Sequence, residues 1–182
     1  DFTDYQTVYA KIPGSAAAPT AGFHFTEAMF NAMKANDTSI EEITLQIGLG
    51  TFKPVKATNT NDHVMHYERF WIAEDVAERL NHAKASGKRL IAIGTTSCRT
   101  LEASLSRHPS FVGESADTNL FITPGYTFKA IDALLTNFHL PKSTLVMLVA
   151  ALIGREEMLR VYRHAIDYQY RFFSFGDAML IL

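Results

Sequence analysis

Cysteine is nearly absent from this 182-residue sequence. Cys98 stands alone, which excludes an internal disulfide and any multi-cysteine zinc or iron-sulfur centre, and fits a reducing compartment such as the cytosol. No charge of one sign dominates. Seventeen Lys and Arg against nineteen Asp and Glu leave a net charge of −2, which excludes a highly basic, sequence-blind nucleic-acid coat and leaves only a local basic face open. Long apolar runs are missing too. The longest, Leu145 to Ile153, has nine residues against the ~20 that a membrane helix needs, so it reads as a buried helix and no membrane association is expected. Asp1 opens no basic, apolar leader, so no signal peptide is expected. Repeats, low-complexity blocks and Pro/Gly/Ser linkers do not occur, and a single domain over residues 1–182 is the expectation.

With 47% hydrophobic and 20% charged residues, the chain has globular composition and is long enough to bury about 70% of its unfolded surface without a metal or disulfide. Hydrophobic periodicity predicts a strand over Tyr5 to Ile12, followed by a small-residue loop from Pro13 to Gly22. A helix with a Met/Phe core face follows Thr26, and a strand covers Glu42 to Ile47. An extended segment from His63 to Ile72 leads into a helix over Ala73 to Ser86, stopped by Gly87. The strand Lys88 to Ile93 enters the turn Gly94-Thr95-Thr96-Ser97, with a helix from Arg99 to Ser106 beyond it. Further strands are read at Asn119 to Ile122, Asp132 to Thr136 and Ala178 to Leu182, and helices at Ser143 to Ile153 and Arg155 to Tyr168. Strands alternating with helices of this length predict an α/β three-layer sandwich with a mixed, largely parallel sheet.

Four stretches carry candidate chemistry. The turn Gly94-Thr95-Thr96-Ser97 offers backbone N–H groups and three hydroxyls to an anion, a carboxylate or a ribose, with Arg99 and Glu102 on the same helix; equally, Thr96 or Ser97 is simply the helix cap. His66 and Glu68 share a face if their segment is extended, which suits either proton transfer or a core-edge histidine neutralised by its neighbour. Asn137, His139 and Lys142 follow a strand and open the most apolar helix, at the sheet edge where α/β proteins bind ligands. A lysine at a helix start opposes the macrodipole and points to an anion. Five aromatics surround Arg171 between Tyr168 and Asp177, as core, as a stacking surface, or around an Arg171–Asp177 ion pair. No P-loop, His-Glu-x-x-His or Gly-x-Gly-x-x-Gly pattern occurs, and no metal is expected.

Several motifs occur in one order. Tyr5-Gln6-Thr7-Val8-Tyr9-Ala10 precedes Ala17-Ala18-Pro19-Thr20-Ala21-Gly22 with His24-Phe25-Thr26, then Gly48-Leu49-Gly50-Thr51-Phe52 and Met65-His66 with Glu68. After these come Gly94-Thr95-Thr96-Ser97 with Arg99-Thr100-Leu101-Glu102, Pro124-Gly125-Tyr126, Thr136 to Leu145, and Tyr170 to Met179. The whole chain thereby resembles the S-adenosylmethionine:tRNA ribosyltransferase-isomerase family of queuosine biosynthesis. Gln46 departs from the histidine usual in that family; it keeps a hydrogen bond but carries no proton.

The resemblance implies a cytoplasmic, monomeric tRNA-modifying enzyme. Its substrates would be S-adenosylmethionine, as ribosyl donor, and a tRNA carrying 7-aminomethyl-7-deazaguanine at the wobble position; epoxyqueuosine-tRNA, adenine and methionine would be released. The implied fold pairs the α/β domain with a β-barrel, and the chain would be the C-terminal portion, with most of the barrel missing. For such a reaction His24, or His66 with Glu68, is expected to move the proton. Thr95, Thr96, Ser97 and Arg99 are expected to hold polar groups of the donor or product, His139, Lys142 and Arg171 to contact phosphate or carboxylate, and Asn137 to bind substrate.

Overall fold

The structure is a computed structural model that describes residues 5–48 and 65–182. Residues 49–64, which hold part of the Gly48 to Phe52 motif and the start of the expected His63 segment, lie outside the described residues.

The small-residue loop ends in a short 3-10 helix, Thr20–His24. Thr26 then caps helix α1 (Glu27–Ala35), its hydroxyl accepting from the Met29 N–H at 3.2 Å. The expected Met/Phe core face is not a core face: no residue of α1 is buried, and Met29 stands in solvent. The expected strand Tyr5 to Ile12 does not form either. Val8 and Ile12 are exposed, and the alternating rings of Tyr5 and Tyr9 pack instead on Phe23 and Phe30, so the period-2 pattern serves ring contacts rather than a ladder.

Strands β1 (Thr44–Gln46), β2 (Glu68–Ile72) and β4 (Glu114–Thr118) form one antiparallel sheet in the order β1-β2-β4. β4 corrects the reading of Asn119 to Ile122 as a strand. Its sequence Glu-Ser-Ala-Asp-Thr is too polar for a hydrophobic scan, while Ile122 reaches the core from an irregular segment. Helix α2 (Glu74–Ala85) buries Val76, Ala77 and Leu80, and Gly87 follows it at φ +70°.

Strand β3 (Ile91–Ile93) runs without a loop into α3 (Gly94–Arg107), and β5 (Ala133–Asn137) and β6 (Ala178–Ile181) complete a mixed sheet of order β3-β5-β6. β3 pairs parallel with β5, and β6 pairs antiparallel with it. The mixed α/β architecture stands, but among the described residues its parallel content is this one pair rather than most of a sheet. The reason lies between β5 and β6. Two consecutive helices, α4 (Thr144–Ile153) and α5 (Arg155–Asp167), joined at Gly154, pack on each other, take the chain out and bring it back to the end it left, so Ala178 pairs with Asn137.

Helix α3 packs on β3 and β5 and also on β1. Its buried residues, from Thr95 and Cys98 to Leu105, leave almost no free face. One core cluster therefore joins Leu45, Phe70 and Ile72 of the antiparallel sheet to Ala92 and Leu134 of the mixed sheet. A second cluster gathers Phe138, Val149, Met158, Ala165, Met179 and Ile181 between α4, α5 and β6. Among the described residues no helix is long and apolar enough to cross a membrane.

Candidate functional site at the end of the mixed sheet

Three segments meet where β5 ends. The Thr20–His24 turn packs on β5 and on α3, with the Ala21 side chain 3.6 Å from the place a Cβ would take on Gly94. Gly94, at φ +86°, swings the chain from β3 directly into α3. Thr95, Thr96 and Ser97 therefore lie inside the first helical turn, and neither Thr96 nor Ser97 is its cap. Ile93 precedes the helix and supplies no capping oxygen, so the first-turn N–H groups have no side-chain acceptor at the cap.

Asn137, 3% exposed, is the last residue of β5. Its Nδ2 donates to the Phe173 carbonyl at 3.1 Å and to the Gly176 carbonyl at 3.4 Å, while its buried Oδ1 has no hydrogen-bond partner among the described residues. These contacts tie β5 to the turn of residues 171–177. Arg171 N–H donates to Asp177 Oδ2 at 2.7 Å, the Asp177 N–H returns to the Arg171 carbonyl at 2.8 Å, and Arg171 Nη2 pairs with Asp177 Oδ1 at 3.2 Å. Gly176 fits because a Cβ there would stand 2.5 Å from the Phe172 carbonyl carbon and 2.6 Å from the Arg171 carbonyl oxygen. Inside the turn, Phe173 is held at φ +73°, a left-handed conformation that costs a bulky side chain about 1 to 3 kcal/mol.

The N-terminal segment closes over the same turn. Tyr5, Phe23 and Phe175 form an aromatic trio with ring centroids 5.5 to 5.8 Å apart, and Tyr5 Oη lies 3.4 Å from Ser174 Oγ. His24 Nε2 is buried with no hydrogen-bond partner among the described residues. The Asp177 carboxyl is held below its usual range first by the Arg171 N–H and then by the Arg171 guanidinium, with His24 adding a smaller pull. The structure thus brings together His24, the Thr95-Thr96-Ser97 turn and Asn137, with Arg171 at the rim.

The other expected site residues sit elsewhere or face inward. His66 is exposed and precedes β2, whereas Glu68 is buried, so the two do not share a face: regular alternation begins only at Glu68. Glu68 forms a buried ion pair with Arg99 that ties β2 to α3. Burial pulls the Arg99 guanidinium down to about 10, which leaves it charged near neutral pH. His139 is 9% exposed; its Nε2 lies 2.9 Å from Thr136 Oγ1, and its N–H donates to Tyr162 Oη at 3.1 Å. Burial lowers the His139 imidazole to about 4, so the ring is neutral near pH 7 and supplies no cation for a phosphate. Lys142 is exposed, at φ +58°, one residue before the Ser143 cap of α4.

The role of Glu102 and the turn around Phe173 were not legible in the sequence. Glu102, fully buried on α3, accepts from the Lys129, Ala130 and Ile131 N–H groups and from Tyr126 Oη, all at 2.9 to 3.2 Å. It anchors a loop rather than a ligand. The strained turn around Phe173 was announced only by a Gly-Asp pair after an aromatic run. A shallow depression of about 170 Å³, lined by Ser106, Arg107 and residues 117–120, lies at the other end of α3. Among the described residues no cluster of three or more His, Cys, Asp or Glu is arranged to hold a metal.

Comparison with known proteins adds a family. A family described as queuosine biosynthesis protein matches residues 1–181. Over 178 residues the sequence is 57% identical to an S-adenosylmethionine:tRNA ribosyltransferase-isomerase from Staphylococcus epidermidis and 54% identical to one from Desulfitobacterium hafniense. Both alignments take in 98% of this chain and 52% of the relative. A crystal structure of S-adenosylmethionine tRNA ribosyltransferase from Thermotoga maritima superposes with a TM-score of 0.72 at 40% identity, covering 90% of this chain and 51% of that one. The chain thus spans about half the length of the curated relatives it matches.

Proposed function

The chain belongs to the queuosine biosynthesis protein family, and on that premise we propose that it carries the α/β portion of an S-adenosylmethionine:tRNA ribosyltransferase-isomerase. The observation that carries this reading is 57% identity, along 98% of the chain, to a relative of that name. The reaction would move and isomerise the ribosyl group of S-adenosylmethionine onto 7-aminomethyl-7-deazaguanine at the tRNA wobble position, releasing adenine and methionine. Such a reaction needs a group to take a proton from the carbon beside the sulfonium, and donors for the nucleoside's polar atoms. His24, whose buried Nε2 has no hydrogen-bond partner among the described residues, is the best placed proton carrier. The first turn of α3, with Thr95, Thr96 and Ser97, supplies the polar contacts. On this reading the protein works in the cytoplasm, as a monomer, and as the C-terminal portion of the enzyme.

A second reading rests on the half-length coverage of the relatives. Here the chain binds donor or tRNA and leaves the chemistry to the part it lacks. Incubation with S-adenosylmethionine and a tRNA bearing the modified base decides between them, with a full-length relative as positive control. Free adenine formed only when both substrates are present supports catalysis by this chain. Binding without adenine release supports the binding portion, and S-adenosylhomocysteine as product would sink both in favour of methyl transfer.

A further inference from the structure

Building on that proposed activity, we infer that Phe173 is a stacking face for a nucleobase of the substrates, held out by the strained turn, and that Asn137 is its positioning residue. The base is an unpaired one of the RNA or the adenine of the donor; their shared chemistry is a planar heteroaromatic ring.

Three observations converge on this ring. Its backbone, at φ +73°, is one that glycine adopts freely and phenylalanine does not. Its side chain is 52% exposed and, among the described residues, stacks on no other ring. The neighbouring rings have ring partners: Phe172 lies 5.3 Å from Phe138 and 5.9 Å from Tyr162, and Phe175, though 64% exposed, packs on Phe23 and Tyr5. Strain and solvent exposure of an apolar ring both oppose folding, so neither core packing nor backbone preference accounts for Phe173.

The turn also over-determines the conformation. Phe173 N–H donates to the Phe138 carbonyl at 2.9 Å, and its carbonyl accepts from Asn137 Nδ2 at 3.1 Å and from the Gly176 N–H at 3.1 Å. Asn137 is thus the buried link between the Phe173 backbone and the end of β5. Exposed Lys142 and Arg171 sit on the two segments that the Phe173–Phe138 bond ties together, where they suit the phosphates that accompany an RNA base.

The test uses the protein carrying this chain and three readouts: melting temperature, the Kd for S-adenosylmethionine, and the Kd for an anticodon stem-loop RNA bearing 7-aminomethyl-7-deazaguanine. Phe173→Gly relieves the strained φ, so its melting temperature should equal or exceed that of the wild type while one Kd rises about tenfold or more. Loss confined to the RNA assigns the face to an RNA base; loss confined to the sulfonium donor assigns it to adenine. Phe173→Trp should restore the affected Kd. Asn137→Ala should weaken the same ligand, and the double variant should bind no worse than Phe173→Gly. Unchanged affinities and unchanged adenine release in Phe173→Gly would overturn the stacking role and leave the proposed activity standing. A wild-type protein that binds neither probe and releases no adenine removes both.

Discussion

Burial changes what the His139 side chain can do. A histidine after Asn137 at a sheet edge invites an anion-binding role, yet the ring is turned inward onto Thr136. A lowered folded-state pKa means the unfolded chain binds the proton more tightly, so acid favours unfolding. Stability should therefore be full above the ordinary histidine value of 6.5 and fall as pH drops towards about 4, at up to about 1.4 kcal/mol per pH unit. His139→Gln keeps a partner for Thr136 and removes the titration. Urea unfolding at several pH values should give a flatter profile for this variant between pH 6.5 and 4; identical slopes would show that His139 is not buried as a neutral ring. The sequence disclosed that His24, Asn137 and Arg171 are polar groups near strand or turn ends. It did not disclose which are inward, because a one-dimensional pattern contains no direction for a side chain beyond the element that carries it.

At the scale of elements, α3 is the hub. Its first turn faces the candidate site, Glu102 in its middle gathers three backbone N–H groups, and Arg99 reaches across to Glu68 on β2. Both charged groups of that ion pair are nearly solvent-free. Removing one therefore strands the other: Arg99→Met should cost about 3 to 5 kcal/mol in urea unfolding, and adding Glu68→Met should recover most of it. A double variant as unstable as the single one would show that the pair is worth more than its apolar replacement. Helix boundaries marked by caps were legible at Thr26 and Gly87, because each acts within a few residues, whereas α3 starts at Gly94 with no side-chain cap, ahead of the expected Arg99. The polar strand β4 and the direction of β6 were not, because both depend on partners tens of residues away.

For the molecule as a whole, the two sheets share one core cluster through α3. They should accordingly unfold together. Trp71, the single tryptophan, lies on β2 of the antiparallel sheet, whereas far-ultraviolet circular dichroism reports mainly the helices. Coincident urea transitions by fluorescence and dichroism are expected, and a fluorescence change well separated from the dichroism change would mean that the sheets belong to independent units. The α/β class, most helices with their caps, the apolar core segments and the family resemblance were determined by the sequence alone, since they rest on local periodicity and on ordered motifs. Only the tertiary structure decided that His66 and Glu68 part company, that His139 is withdrawn into the interior, and that Phe173 is held outward in a strained turn. Each of these depends on burial and on hydrogen bonds between segments far apart in the chain, and such contacts exist only after the core has closed.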